Sequence, residues 1–379
     1  MGSLAEKSYL WGSKRRNMYL KKLVLINFKN IAQAEVALSE RINCFVGDNG
    51  AGKTNVLDAV YYLSMSKSAF NMTDGQSVRH GEEFFVVEGT YAGDGGACDT
   101  VNCSFLKRSG KVLKLNGKEY GRMADHVGRF PVVMVSPQDS VLITDAAEER
   151  RRYLNAFLSQ LDRGYLAAVM RYNAVLAERN RYLKGSSDEQ MLAIYDMQLA
   201  EHAALIYERR RDIVERMQPL VAEYYRVLSG DREQVMIEYR SELASASMND
   251  LLLASRERDI VNGFTTSGVH RDDMSLRIGG YPLRKYGSQG QQKSFLMALK
   301  LAQCNILAAA CGERPLLLFD DLFDKLDTSR VENLLGLVSG DGFGQIFITD
   351  CNRSRLETIL SRAGKRYALF TVEGGDIRS

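Results

Sequence analysis

The chain changes its hydrophobic rhythm three times. From Tyr19 to Phe28, Leu20, Leu23 and Leu25 stand among Lys21, Lys22 and Asn27, which predicts an edge strand. The run Ile42-Asn43-Cys44-Phe45-Val46 reads as a buried strand, and after it Val56, Leu57, Val60, Tyr61 and Leu63 recur at helical spacing. Short strands are predicted at 84–91, 100–106 and 112–115, punctuated by Gly93-Asp94-Gly95-Gly96 and Asn116-Gly117. A further strand at Val132–Val135 leads into Ser136-Pro137-Gln138-Asp139. To this point the pattern is mixed α/β.

At about Ala146 the period becomes helical. Leu154, Phe157, Leu158, Leu161, Tyr165, Val169, Tyr172 and Leu176 recur at three and four, predicting one amphipathic helix to about Lys184. A turn at Gly185-Ser186-Ser187-Asp188 follows, with Ser187 and Gln190 spaced as a capping box. The next helix runs through Leu192, Leu199, Leu205, Ile206, Ile213 and Met217 to about Leu228, with a bend expected near Pro219. The pair makes either a projecting arm or a packed helical subdomain, too short for a long coiled coil. After 250–263 the α/β character returns. Gly287-Ser288-Gln289-Gly290-Gln291-Gln292-Lys293 opens a helix with apolar Phe295, Leu296, Leu299, Leu301 and Ala302. Two apolar runs follow, Leu316-Leu317-Leu318-Phe319 ending in Asp320-Asp321, and Ile346-Phe347-Ile348-Thr349-Asp350.

A chain of 379 residues exceeds what one core usually serves. The expected division is 1–17 as a disordered or added extension ahead of Met18, 18–140 and 265–379 as one head, and 141–264 as an inserted, mostly helical arm. A net charge of +3 leaves any nucleic-acid surface to local clustering of basic residues. The six cysteines form no C-x-x-C pair, which argues against zinc and for reduced thiols packed as small hydrophobes. No membrane span is expected, and Met1–Asn17, despite Lys14-Arg15-Arg16, lacks the apolar core of a signal peptide.

The chemistry begins at Gly47-Asp48-Asn49-Gly50-Ala51-Gly52-Lys53-Thr54-Asn55, which fits G-x-x-x-x-G-K-[ST] between a strand and a helix. Backbone N–H groups at such a helix start cradle phosphate; Lys53 supplies a charge to the β- and γ-phosphates, and Thr54 a hydroxyl ligand to Mg²⁺. ATP and Mg²⁺ are the cofactors this implies. Asp320, closing an apolar strand, is placed to hold the metal, and Asp321 to orient or deprotonate the attacking water. Ser288 and the Gly290 amide, with Gln289 and Gln291, form a second anion-binding helix start.

Phosphate loop, insertion, Ser-x-Gly-Gln helix start and strand-Asp-Asp occur in the order of the ATP-binding-cassette heads of chromosome-maintenance and repair ATPases. The blocks Asn27-Phe28-Lys29-Asn30, Gly50-Ala51-Gly52-Lys53-Thr54-Asn55, Arg150-Arg151-Arg152-Tyr153-Leu154, Gly268-Val269-His270-Arg271-Asp272-Asp273, Ser288-Gln289-Gly290-Gln291-Gln292-Lys293 and Asp320-Asp321 with Leu326-Asp327 together resemble the RecF recombination and repair family. That resemblance covers nearly everything from Met18 onward. It implies an α/β head with a helical insertion, slow ATP hydrolysis, and an ATP-dependent homodimer in which Ser288 meets the partner's nucleotide. It also implies a cytoplasmic protein that binds duplex, gapped or junction DNA and acts with RecO and RecR mediators to load recombinase. Gln138 matches the glutamine that couples the metal to the helical part in cassette ATPases; a plain turn residue is the alternative. A chromosome-holding head would need far longer coiled coils. A transporter-energising cassette ATPase would place its second motif much nearer the loop.

Several positions depart from the family pattern. Val269 replaces a usual proline, Phe323-Asp324-Lys325 replaces a Ser-Glu pair, and Lys67-Ser68-Ala69-Phe70 lacks an arginine. Thr349-Asp350 stands where a γ-phosphate-sensing histidine is common, so sensing falls to Thr349 or Asp350, or is weak. His270 through Asp273 reads chiefly as a structural turn, Arg150 to Arg152 as phosphate contacts or intramolecular pairs, and Arg209-Arg210-Arg211 as a solvated face.

Overall fold

The computed structural model describes residues 18–379 except 94, 95, 97, 187, 231, 232, 322–327, 339, 341 and 363–365. The extension 1–17, the Asp94-Gly95 turn, Ser187 and the segment Phe323 to Asp327 therefore lie outside the described residues. Two compact units emerge, one of residues up to Gln138 together with Lys300–Ser379, the other Asp139–Leu299. The second extends past 264, the expected end of the helical segment, because a small sheet joins its helices.

The first unit holds two six-stranded sheets. One is antiparallel, in the order β2 (Ile31–Ala37), β1 (Tyr19–Phe28), β4 (Phe84–Ala92), β5 (Cys98–Leu106), β6 (Gly110–Leu115), β7 (Lys118–Glu119). The expectation of an edge strand at β1 is corrected: β1 pairs with β2 on one side and β4 on the other. Its lysines had pointed to an edge, but Leu20, Leu23 and Leu25 are fully buried while Lys21 is exposed.

The other sheet runs β15 (Asp376–Arg378), β14 (Ala368–Glu373), β3 (Ile42–Val46), β13 (Ile346–Asp350), β12 (Leu316–Phe319), β8 (Val132–Val135). All neighbours are parallel except β14 and β15. Every residue of β3, β8, β12 and β13 is buried, the unbroken apolar reading of strands covered on both faces. Helix α1 (Lys53–Met65) packs against β1 and β4 of one sheet and β8 and β13 of the other, so it is buried almost all round.

In the second unit the expected helix 146–184 is two, α3 (Ala147–Leu161) and α4 (Arg163–Tyr182), after the short α2 (Val141–Thr144). Asp162 makes the break by capping α4, accepting from the Tyr165 N–H at 3.0 Å. Helix α5 (Glu189–Ser229) continues through Pro219. Its cap is Asp188, which accepts from Met191 N–H at 2.9 Å. A three-stranded sheet, β11 (Tyr281–Pro282), β10 (Asp273–Ile278), β9 (Val235–Arg240), and helices α6 (Met248–Asn262) and α7 (Leu283–Tyr286) complete the unit.

Buried charge ties the elements of this unit together alongside apolar contact. Arg179, fully buried, donates to Asp196 and Asp259 at 2.8 Å each and to Thr265 at 2.9 Å. Arg210 corrects the expectation of a solvated face: it is 3% exposed and donates to Tyr165 Oη, the Val269 carbonyl and Asn155 Oδ1. Helical spacing did not show that this one arginine of three turns inward.

Helix α8 (Gln289–Cys311) begins in the second unit and ends in the first. By length and composition it could cross a membrane, which corrects the expectation that no such stretch exists; 78% of its apolar window is buried inside the protein. Helices α9 (Thr328–Val338) and α10 (Arg353–Arg362) follow β12 and β13. Cys44, Cys103 and Cys304 are buried as expected, whereas Cys98 and Cys351 are exposed.

Candidate nucleotide site

Parallel strands deliver their carboxyl ends to one edge of a sheet, where open α/β folds bind ligands. Here the β3 end carries the loop Gly47–Asn55, the β13 end Thr349-Asp350, the β12 end Asp320-Asp321 and the β8 end the turn containing Gln138. Registers align them: Val46 pairs with Asp350, and Phe319 with both Ile348 and Val135.

The loop is held from behind. Gly52, at φ 115°, leaves no room for a Cβ, which would fall 2.7 Å from the Asn30 amide, and a Cβ on Gly47 would meet the Val372 carbonyl at 2.1 Å. Asn30 Nδ2 donates to the Ala51 carbonyl at 3.0 Å and its Oδ1 accepts from Asn55 at 2.7 Å. From the turn between β14 and β15, Gly375 N–H donates to Ala51 O at 2.9 Å. Helix α1 starts with no side-chain cap and no acid in its first turn, leaving its donor end to an anion. Lys53, 4% exposed, donates from Nζ to the Gly47 and Asp48 carbonyls at 2.9 and 3.0 Å.

Thr54 Oγ1 donates to the Asp320 carboxylate, 2.8 Å from Oδ1 and 3.0 Å from Oδ2. Thr349 Oγ1 donates to Asp320 Oδ1 at 2.8 Å while accepting the Asp321 N–H at 2.8 Å. Asp321 adopts φ 43°, a left-handed backbone that a non-glycine residue holds only when its neighbours fix it. Burial raises the Asp320 pKa and Asp321 adds to the rise; the Thr54 and Thr349 bonds and Lys53 oppose it. A hard-oxygen pair of hydroxyl and carboxylate within hydrogen-bonding reach suits Mg²⁺. Gln138 is exposed in the 137–140 turn, three residues past Val135, whose carbonyl accepts the Asp320 N–H at 2.8 Å. Asp350 turns away to Asn352 N–H and Arg355, leaving Thr349 as the member of that pair beside Asp320.

Lys29 pairs with fully buried Asp58 at 2.7 Å, and Asp58 accepts from Ser68 Oγ and Ala69 N–H at 2.8 and 2.7 Å. The segment lacking the family arginine is thus fixed to α1. Beside the loop lies a cavity of about 880 Å³ lined by Asn30, Asn55, Gln76, Arg79, His80 and Lys107 among others. Sequence reading missed Arg79 and His80, which carry no motif, and the backing by Gly375, for which Gly374-Gly375 was the available signal.

Ser288, Gln289, Gly290 and Gln291 belong to the second unit. Ser288 Oγ accepts Gln291 N–H at 3.3 Å and Gln291 Oε1 accepts Ser288 N–H at 2.7 Å, a reciprocal cap on α8. Gln291 Nε2 donates to Glu233 at 2.8 Å. In the same unit Arg150 grips Asp273 at 2.6 and 3.2 Å, Arg151 donates to the Asp272 carbonyl at 2.7 Å, and Arg152 pairs with Glu148 and Glu149. His270 bonds Tyr172 Oη at 2.8 Å and the Thr265 carbonyl at 3.0 Å. Among the described residues no cluster of three or more metal-ligating His, Cys, Asp or Glu exists.

Residues 19–376 match the model of the RecF/RecN/SMC N-terminal domain. A DNA replication and repair protein RecF of Bacteroides thetaiotaomicron is 45% identical over 362 residues, covering 95% of this chain and 98% of that one. Its counterpart in Flavobacterium johnsoniae is 41% identical over 360 residues, covering 94% and 100%. A solved structure described as the recombination mediator protein RecF-ATP in the RecFOR pathway superposes with a TM-score of 0.87 at 29% identity, covering 97% of this chain and 99% of that one. An Smc head domain from Pyrococcus furiosus, with a TM-score of 0.56 at 14% identity over 95% of each chain, shares the fold.

Proposed function

This chain belongs to the RecF family as an ABC-type ATPase, and from that premise we propose that it is an ATP-gated DNA clamp of recombinational repair. The observation that carries the reading is the meeting of Thr54 and Asp320 at 2.8 Å, which joins phosphate loop and acidic strand into one oxygen-donor set.

The ATP triphosphate would lie on the backbone of Gly47 to Asn55, with Lys53 exchanging its loop carbonyls for phosphate oxygens. Thr54 and Asp320 would hold Mg²⁺ with Gln138 at its margin; bound there, the ion neutralises charge developing on the phosphates. Thr349 fixes Asp320 through one bond and the Asp321 backbone through another. The Asp321 carboxylate then orients water and takes its proton. The cavity beside Asn30 and Asn55 offers room for the nucleoside.

A second copy completes the site, the partner's Ser288 and Gly290 contributing the far side of the nucleotide. Two heads joined this way close on duplex DNA at single-strand gaps, and slow hydrolysis reopens them. The protein would act in the cytoplasm with RecO and RecR type mediators to load recombinase. Phosphate contacts should dominate, so neutralising about six phosphates gives a log–log salt slope near −5.

Sedimentation without nucleotide, in ADP and in ATP, with and without a short gapped duplex, tests this. A dimer formed only in ATP that carries DNA supports the clamp, and Ser288→Arg should abolish pairing while sparing ATP binding. A monomer that binds ATP and ignores DNA would overturn it.

A further inference from the structure

The β10–β11 turn and α7 present an aromatic and basic surface that the nucleotide chemistry does not use. Tyr281 and Tyr286 are 60% and 56% exposed. Their rings lie 5.0 Å apart at 45°, and Lys285 Nζ sits 5.5 Å from the Tyr286 ring centre. The platform is anchored rather than loose. Leu283 is fully buried, its carbonyl accepts Gly287 N–H at 2.9 Å, and Ile278 pairs with Tyr281 across the Gly279-Gly280 turn.

Charge around it has one sign along the chain. From Met274 to Gly287 there is no Asp or Glu, while Arg277, Arg284 and Lys285 fall in that stretch. Arg284 and Lys285 are exposed, and among the described residues neither makes an ion pair. Two rings more than half exposed, with two exposed cations beside them that make no ion pair, match the chemistry of unpaired nucleotides, whose bases stack and whose phosphates need neutralising. A duplex keeps its bases stacked inside and could use only the cations.

We propose that Tyr281 and Tyr286, with Arg284 and Lys285, form a stacking site for single-stranded DNA. This rests on the DNA-binding reading above and adds to it the strand type and the residues that meet it. A clamp so equipped would recognise the unpaired side of a gap.

The test uses the full chain with fluorescein-labelled oligo(dT) and a hairpin duplex, followed by anisotropy across a salt series. Tyr281→Ala with Tyr286→Ala should weaken oligo(dT) binding about tenfold or more and leave duplex binding within about twofold, while the paired Tyr→Phe variant retains both. Arg284→Ala with Lys285→Ala should lower the single-strand salt slope by about 1.4. Unchanged oligo(dT) binding by the alanine pair, or equal loss for both DNAs, overturns the site but leaves the clamp standing. If the unaltered protein binds neither DNA, the clamp reading itself fails. Loss of ATP-dependent pairing in sedimentation, with single-strand binding unchanged, would assign the tyrosines to a second copy and overturn the proposal.

Discussion

Thr349 Oγ1 stands 2.8 Å from Asp320 Oδ1, bridging the ends of β13 and β12, and the same oxygen takes the Asp321 N–H. One buried hydroxyl thus fixes both carboxylate-bearing residues of the candidate catalytic strand end.

Thr349→Val keeps the volume and removes both bonds. A hydrogen bond to a charged group is worth about 1.5–3 kcal/mol, so ATP turnover should fall about tenfold to a hundredfold with ATP affinity nearly unchanged. Steady-state hydrolysis beside equilibrium ATP binding checks this. Lost affinity at normal turnover would place Thr349 in ground-state binding instead.

Asn30→Ala strips the loop of two side-chain bonds, to Ala51 O and from Asn55. At about 1 kcal/mol each, ATP affinity should drop by up to about thirtyfold while the melting temperature moves little, as calorimetric titration and thermal unfolding would show.

Replacing Asp321 by Asn keeps the backbone bond to Thr349 and removes the proton acceptor. The variant should bind ATP, pair, and stay paired; rapid dissociation in ATP, read by sedimentation, would refute its role as base.

Arg210→Met leaves Asp272 without its buried partner, 3.4 Å away, in a site where burial already raises the Asp272 pKa. The expected cost is about 3–5 kcal/mol in unfolding free energy, measured by denaturant titration. ATP binding at the other unit should persist wherever the protein remains folded.

Burial lowers the His270 pKa to about 4. The folded protein keeps the ring neutral where an unfolded chain, with a pKa near 6.5, takes up a proton. Stability is therefore untouched above about pH 7 and is lost as pH falls from 6.5 toward 4, by up to about 1.4 kcal/mol per pH unit from this residue. His270→Gln should flatten that dependence of the denaturation midpoint between pH 7 and 5.

Local pattern alone settled the phosphate loop, its strand and helix, and the acidic strand. A G-K-T turn between a five-residue apolar run and a helix needs no distant partner to be recognised, and strands buried on both faces read as continuous apolar runs. Helical period likewise marked 146–228 but not the break at Asp162, where a side-chain cap competes with continued helix over a single residue. Tertiary structure decided everything that depends on which strands become neighbours. Parallel pairing set Thr349 beside the Asp320 carboxylate across a sequence separation of 29, antiparallel pairing with β2 and β4 took β1 off the sheet edge, and the β14–β15 turn brought Gly375 behind Ala51. It also chose Arg210 from three adjacent arginines for the interior, because only its direction on α5 meets Tyr165, Asn155 and the Val269 carbonyl. Sequence specifies which side chains can do chemistry; the long-range pairing of strands and the burial of charge against charge select the ones that share a site.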